Sequence, residues 1–136
     1  MPTVQTSDWL GLSARVNTLP LSYPRYEPDA IFTPPSDASG PLPFILLSDV
    51  VNDPARLGID PRLSERSGTL MLSLQWPISR PVSHTALREL QGVIASHFPA
   101  DMCMGALRVT SNPSCLPAYV DGAYRVAVVR VFWSSV

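Results

Sequence analysis

Thr69-Leu70-Met71-Leu72-Ser73-Leu74-Gln75-Trp76 is the stretch on which the rest of the chain hangs. Leu70, Leu72, Leu74 and Trp76 alternate with Thr69, Met71, Ser73 and Gln75. That strict period of two places one row of large apolar side chains on one face of a β-strand. A single apolar strand face needs another layer to cover it. Pro77 and Pro81 end the strand, because proline gives a sheet ladder no donor.

The covering layer is found immediately downstream. From Ser83 to Phe98, Leu87, Leu90, Val93, Ile94, His97 and Phe98 fall on one helical stripe, with Arg88, Glu89 and Gln91 assigned to the opposite side. Ser83 or Thr85 caps this helix and Pro99 closes it. Upstream, Phe44-Ile45-Leu46-Leu47-Ser48-Asp49-Val50-Val51 is a compact apolar run between Pro43 and Asn52-Asp53-Pro54, and it predicts a second strand. Beyond the helix, Ala106–Ser111 and Cys115–Val120 read as strands separated by Asn112-Pro113. Asp121-Gly122 signals a tight hairpin. Tyr124–Trp133 is apolar on both faces and therefore reads as a central strand. Ser7 can cap a short N-terminal helix running to Leu19, with Trp9, Leu12, Val16 and Leu19 at helical spacing and Pro20 at its end.

The expected architecture is α+β: a small, mostly antiparallel or mixed sheet packed by one main amphipathic helix plus a short N-terminal helix. A chain of 136 residues fits one domain. Residues 1–43 supply the short helix and a proline-rich arm, and residues 44–136 the core. The arm carries Pro20, Pro24, Pro28, Pro34, Pro35, Pro41 and Pro43 together with Tyr23, Tyr26, Ile31 and Phe32. So much proline excludes a helix, and so many large apolar side chains have no use in a free linker. The arm is read as extended and packed on its own domain or on a neighbour, with disorder as the alternative. Residues 52–67 form a long polar loop in which Asp53, Arg56, Asp60, Arg62, Glu65 and Arg66 mix both signs of charge. Such a loop either docks on a partner or is simply solvated.

Composition narrows the function. Apolar residues make up 46% of the chain and net charge is -1, so nucleic acid is disfavoured as the main partner. All ten cationic residues are arginine, a side chain suited to bidentate contacts at interfaces. No stretch approaches the roughly 20 apolar residues of a membrane-spanning helix, and no secretory signal opens the chain. Cys103 and Cys115 have neither CxxC spacing nor a nearby histidine, so they form neither a zinc site nor a redox motif, and both are expected as buried free thiols, with a bridge between them as the alternative. His84 opens the main helix and His97 lies on its apolar stripe; neither accompanies a nucleophile motif. Asp49 and Asp121 are the carboxylates placed on structured elements, and Asp121 already belongs to the hairpin. Without lysine no phosphate-binding GxxxxGK[ST] loop exists. The expectation is a protein without catalytic residues or cofactors, acting through its surfaces.

Arg66-Ser67-Gly68 leading into the alternating strand, a single helix ending at Phe98-Pro99, Leu107-Arg108-Val109, Pro113 and Asp121-Gly122-Ala123-Tyr124-Arg125 follow one another in an order that resembles the tail terminator proteins of long-tailed (siphophage-like) bacteriophages. Phe32-Thr33-Pro34-Pro35 ahead of the apolar strand fits the same pattern. The resemblance spans roughly residues 30 to 133; the short N-terminal helix and the proline-rich arm depart from it. It implies a virion protein of the tail and neck, assembled in the host cytoplasm as a homohexameric ring. Such a ring caps the tail tube protein, ends its polymerisation and meets a head-completion or neck protein, with DNA only passing through the lumen and no membrane contact. The alternatives are another neck or connector protein, or a small ligand-binding or enzymatic α+β domain. The interface residues expected on this reading are Arg56, Arg62, Glu65, Arg66, Tyr23, Tyr26 and Phe32.

Overall fold

A computed structural model describes residues 4–28, 34–38, 40–51, 55–56, 64–105 and 107–135, without side chains at 4, 5, 55, 56, 64 and 65. The chain runs α1 (Val4–Val16), β1 (Arg25–Tyr26), β2 (Ser36–Asp37), β3 (Gly40–Pro41), β4 (Phe44–Val51), β5 (Ala55–Arg56), β6 (Ser64–Pro77), α2 (His84–Ser96), β7 (Cys103–Met104), β8 (Leu107–Val109), β9 (Ser114–Cys115), β10 (Tyr119–Asp121) and β11 (Tyr124–Ser135). The fold is α+β, and its sheet is mixed. β1 joins β4 in parallel, while β4, β6 and β11 are antiparallel neighbours. β8, β9 and β10 share the far side of β11, and β7 lies outside β8.

The β6–β11 pair is the spine, with register running unbroken from Tyr124↔Pro77 to Ser135↔Arg66. Leu70, Leu72 and Leu74 stand opposite Val131, Val129 and Ala127, and all six are sealed from solvent. Leu12 and Val16 from α1 with Leu19 just beyond it, and Leu87 and Ile94 from α2 with Phe98 just beyond it, close over this face. The period-two reading of residues 69–76 therefore sets the core.

β6 begins at Ser64, five positions before the alternation starts, so it takes in part of the expected loop. The core-side positions of that extension hold Arg66 and Gly68, which carry no apolar signal. Gly68 is required there: a Cβ would come within 2.6 Å of the Trp133 ring and of the Val50 carbonyl. α1 starts at Val4, placing Ser7 inside the helix rather than at its cap. Gly11 lets β7 approach, since a Cβ there would meet the Met104 carbonyl at 2.9 Å. β7 was not foreseen, being two residues long. The strand expected over 115–120 breaks around Pro117 into β9 and β10.

Gln91 departs from the amphipathic reading of α2. Its side chain is fully buried and Nε2 donates to Leu116 O (2.8 Å) and Val128 O (3.1 Å). Leu87, Gln91, Ile94 and Phe98 form the inward stripe, with Leu90 half-buried at its flank. The amide nitrogen is satisfied by these two carbonyls, whereas Oε1 is buried with no hydrogen-bond partner among the described residues. Ser83 is the helix N-cap, its hydroxyl accepting from Ala86 N at 3.0 Å.

The described part of the arm packs on its own domain. Ile45 N donates to Pro24 O (2.8 Å), and the Arg25 guanidinium donates to the carbonyls of Leu19 and Leu21 at 3.0 and 2.6 Å. β2 and β3 form a small hairpin, held to the turn after β6 by Arg80, which donates to Pro41 O (2.5 Å) and pairs with Asp37 (3.0 Å).

Candidate assembly surfaces

The residues weighed for chemistry do not converge. Asp49 lies opposite Leu70, whereas Asp121 lies opposite Tyr124 and so at the level of Pro77. Seven positions along the strand direction alone place the two residues about 23 Å apart, before the width of the intervening strands is added, far beyond any shared acid–base site. His97 Nε2 sits 2.7 Å from Thr18 Oγ1 and 3.0 Å from Arg15 O, while Arg15 Nε donates to the His97 carbonyl at 3.0 Å. The ring thus clamps the end of α1 to the end of α2, and burial pushes its pKa below the usual histidine value. His84 is exposed. Cys103 and Cys115 are free thiols, but Cys103 is exposed and Cys115 half-buried rather than both buried, and no set of three or more histidine, cysteine or acidic residues able to hold a metal occurs among the described residues. A cleft of about 350 Å³ lies between Pro77, Ile78, Val82 and the Arg80 and Arg125 side chains, with no nucleophile–base pair in it.

Of the residues expected at an interface, Tyr23 and Tyr26 are half-buried within the protomer. Tyr23 meets Trp76 edge-on at 5.9 Å, Tyr26 meets Phe44 edge-on at 5.6 Å, and Tyr124 also meets Phe44 edge-on, at 5.4 Å. Arg56 and Glu65 sit on adjacent strands, since β5 pairs with β6 through Ala55↔Glu65 and Arg56↔Ser64. Phe32 and Arg62 lie outside the described residues.

Arg66 is engaged inside the protomer. Its Nε and Nη2 donate to Asp8 Oδ2 and Oδ1 at 2.8 and 3.3 Å, and Nη2 also donates to Ser135 Oγ at 2.8 Å. This fork ties α1 to both spine strands, and the Asp8 side chain is only 8% exposed. Asp49 shares that neighbourhood less comfortably. Its Oδ1 is buried without a hydrogen-bond partner, and burial, reinforced by the Asp8 charge, raises its pKa above the usual carboxylate range.

A raised folded-state pKa means that the native protein binds the proton more tightly than the unfolded chain does. Stability contributed by Asp49 should therefore increase as pH falls from the raised value towards the ordinary one, and at neutral pH the ionised carboxylate is a liability. Asp49→Asn is expected to raise the urea midpoint at pH 7 by a small amount, below about 1 kcal/mol because the site is partly solvated. The gain should shrink as the pH of the titration is lowered towards 4. A variant less stable than the parent at pH 7 would contradict this account.

Apart from Leu10 on α1, the large apolar side chains exposed among the described residues lie near the two ends of the spine. Val50 and Val51 (48% and 58% exposed) end β4, and Ile78, Tyr119 and Val120 (52%, 53% and 60%) surround the β10–β11 turn. Sequence reading passed over both groups, because Val50 and Val51 look like the tail of a core strand and Tyr119-Val120 like the start of a hairpin.

A family model described as phage tail terminator protein matches residues 9–133. No curated protein matches the chain in sequence. A solved structure of another protein superposes over 99% of this chain and 97% of its own, with a TM-score of 0.77 at 14% identity, a likeness of fold alone.

Proposed function

Since the chain belongs to the phage tail terminator protein family and is a structural component of the phage tail, we propose that it assembles as a closed ring on the end of the tail tube, stops tube growth and presents its other face to a head-completion or neck protein. The observation that supports this reading most is the family match over residues 9–133, joined by a surface that carries apolar side chains at both ends of the sheet. A head-to-tail interface that closes on itself gives a ring. The ring would be a homohexamer, with DNA passing through its lumen and assembly taking place in the host cytoplasm.

Register against the tube is assigned to the mixed-charge segment 52–65. Arg56 and Arg62 are its contacts, with Glu65 beside them, whereas Arg66 serves as an internal brace. Charges at a rim govern partner choice more than affinity. Arg56→Glu with Arg62→Glu should leave the unfolding midpoint within about 0.5 kcal/mol of the parent. Negative-stain imaging with the tail tube protein should then show tubes of uncontrolled length. Tubes of normal length from the double variant would remove this segment from the contact, and tails that stop normally but fail to join heads would favour a neck protein instead.

A further inference from the structure

Two strand edges of the protomer lack a neighbour among the described residues. β1 covers only Ile45 and Leu46 of β4, so Leu47–Val51 pairs with β6 on one side and with no strand on the other. β10 pairs with β11 on one side alone, and all three of its residues are exposed. Natural sheets shield open edges with lysine, proline or a covering segment. Neither edge carries a lysine or a proline, and each bears two exposed apolar side chains: Val50 and Val51 on β4, Tyr119 and Val120 on β10.

The two edges are complementary. β10 runs antiparallel to β11, β11 antiparallel to β6 and β6 antiparallel to β4, so β10 of one copy can continue the sheet beyond β4 of another in the antiparallel sense. With Val120 opposite Asp49, Tyr119 meets Val50 on the face away from the helices. On the helix-bearing face the charges then match. Arg125, directly opposite Val120 in its own hairpin, has no carboxylate partner among the described residues and makes a long 3.4 Å contact from Nη1 to Val82 O. Asp49 has a buried oxygen that no donor among the described residues reaches. Docking would set the two residues two strands apart, about 10 Å between backbones, a gap that an arginine side chain spans.

We propose that the subunits of the ring are joined by strand addition, the β10 edge of one copy (Tyr119–Asp121) pairing with the Leu47–Val51 edge of the next. This rests on the ring reading above and adds its contact. Val120 is level with Trp76 and Asp49 with Leu70, six positions apart on β6, an offset accumulated over β10, β11, β6 and β4. It corresponds to about 5 Å of slip for each strand spacing, or a tilt of about 45°, close to that of closed barrel walls. Main-chain hydrogen bonds give such joints affinity and the alternating side chains give them register.

The test is cross-linking in a background with Cys103→Ser and Cys115→Ala. Directly opposed residues of antiparallel strands have Cβ atoms about 5 Å apart, near disulfide reach. A chain carrying both Val50→Cys and Tyr119→Cys should, on the tube end and under oxidation, give a ladder of covalent multimers, and each single variant should give none. Val120→Glu, at an exposed position, should keep the parental melting temperature and lose the ladder. Rings seen by imaging without any ladder would overturn the strand joint and leave the ring standing; monomers with neither rings nor ladder would overturn both. A covalent dimer from Tyr119→Cys alone would mean that β10 pairs with β10, and would also overturn the proposal.

Discussion

Replacing Arg66 with alanine should destabilise the protomer by about 3 kcal/mol, measured as a lower urea midpoint. Removing one member of a buried ion pair typically costs about 3–5 kcal/mol, because the remaining charge stays desolvated. The low end applies here, since the Arg66 side chain is 20% exposed and water can reach the gap. The stranded group is Asp8, whose carboxylate would then face Asp49 with no cation between them. Ser135 loses its guanidinium donor as well. The double variant Arg66→Ala, Asp8→Ala should recover much of the loss, because no uncompensated charge remains. A double-mutant cycle with coupling below about 0.5 kcal/mol would show that the fork does not brace the fold.

Leu72→Ala should cost more than the same change at any apolar position of α2's flank. Leu72 is completely buried, stands opposite Val129 in the spine and lies within the cluster that unites both helices with the sheet. Truncation there should lower the unfolding free energy by about 2–5 kcal/mol, the span reflecting how far the cavity can collapse. Leu90, half-buried at the edge of the α2 stripe, should lose only about 1 kcal/mol on truncation. Chemical denaturation of the two variants side by side decides the matter; equal losses would mean that Leu90 is as deep as the sequence alone suggested.

What the sequence revealed and what it concealed follow from how each residue is satisfied. β4 is bounded as read, and the main helix is capped at Ser83 as expected, because apolar periodicity and punctuation by proline and serine act locally. The Asp121-Gly122 signal also holds: Gly122 adopts φ +62, the left-handed conformation that glycine enters without strain. Gln91 was misassigned to the surface because its compensation, two carbonyls contributed from residues 116 and 128, is distant in sequence. The start of β6 was hidden for the same reason. Its core positions are an arginine neutralised by Asp8 and a glycine covered by Trp133, partners 58 and 65 positions away. Of the candidate interface residues, the two tyrosines proved to pack against rings of their own chain. The exposed edges of β4 and β10 could not be foreseen, because an edge is defined by which strands fail to arrive.

The position of β11 has a consequence for when this protein becomes competent. It is the strand that β6, β8, β9 and β10 all require as a neighbour, yet it follows every one of them along the chain. While it is still inside the ribosome, Leu70, Leu72 and Leu74 have no β11 partner to complete their layer, and α2 has no sheet carbonyl at Val128 to engage. Synthesis at about 5–20 residues per second therefore gives little chance of stepwise, domain-like folding, and sheets so rich in distant pairings close slowly. The nascent chain is committed only after β11 has emerged. A partly made copy thus lacks the strand on which four others pair, and the order of translation makes completion of the core a late event.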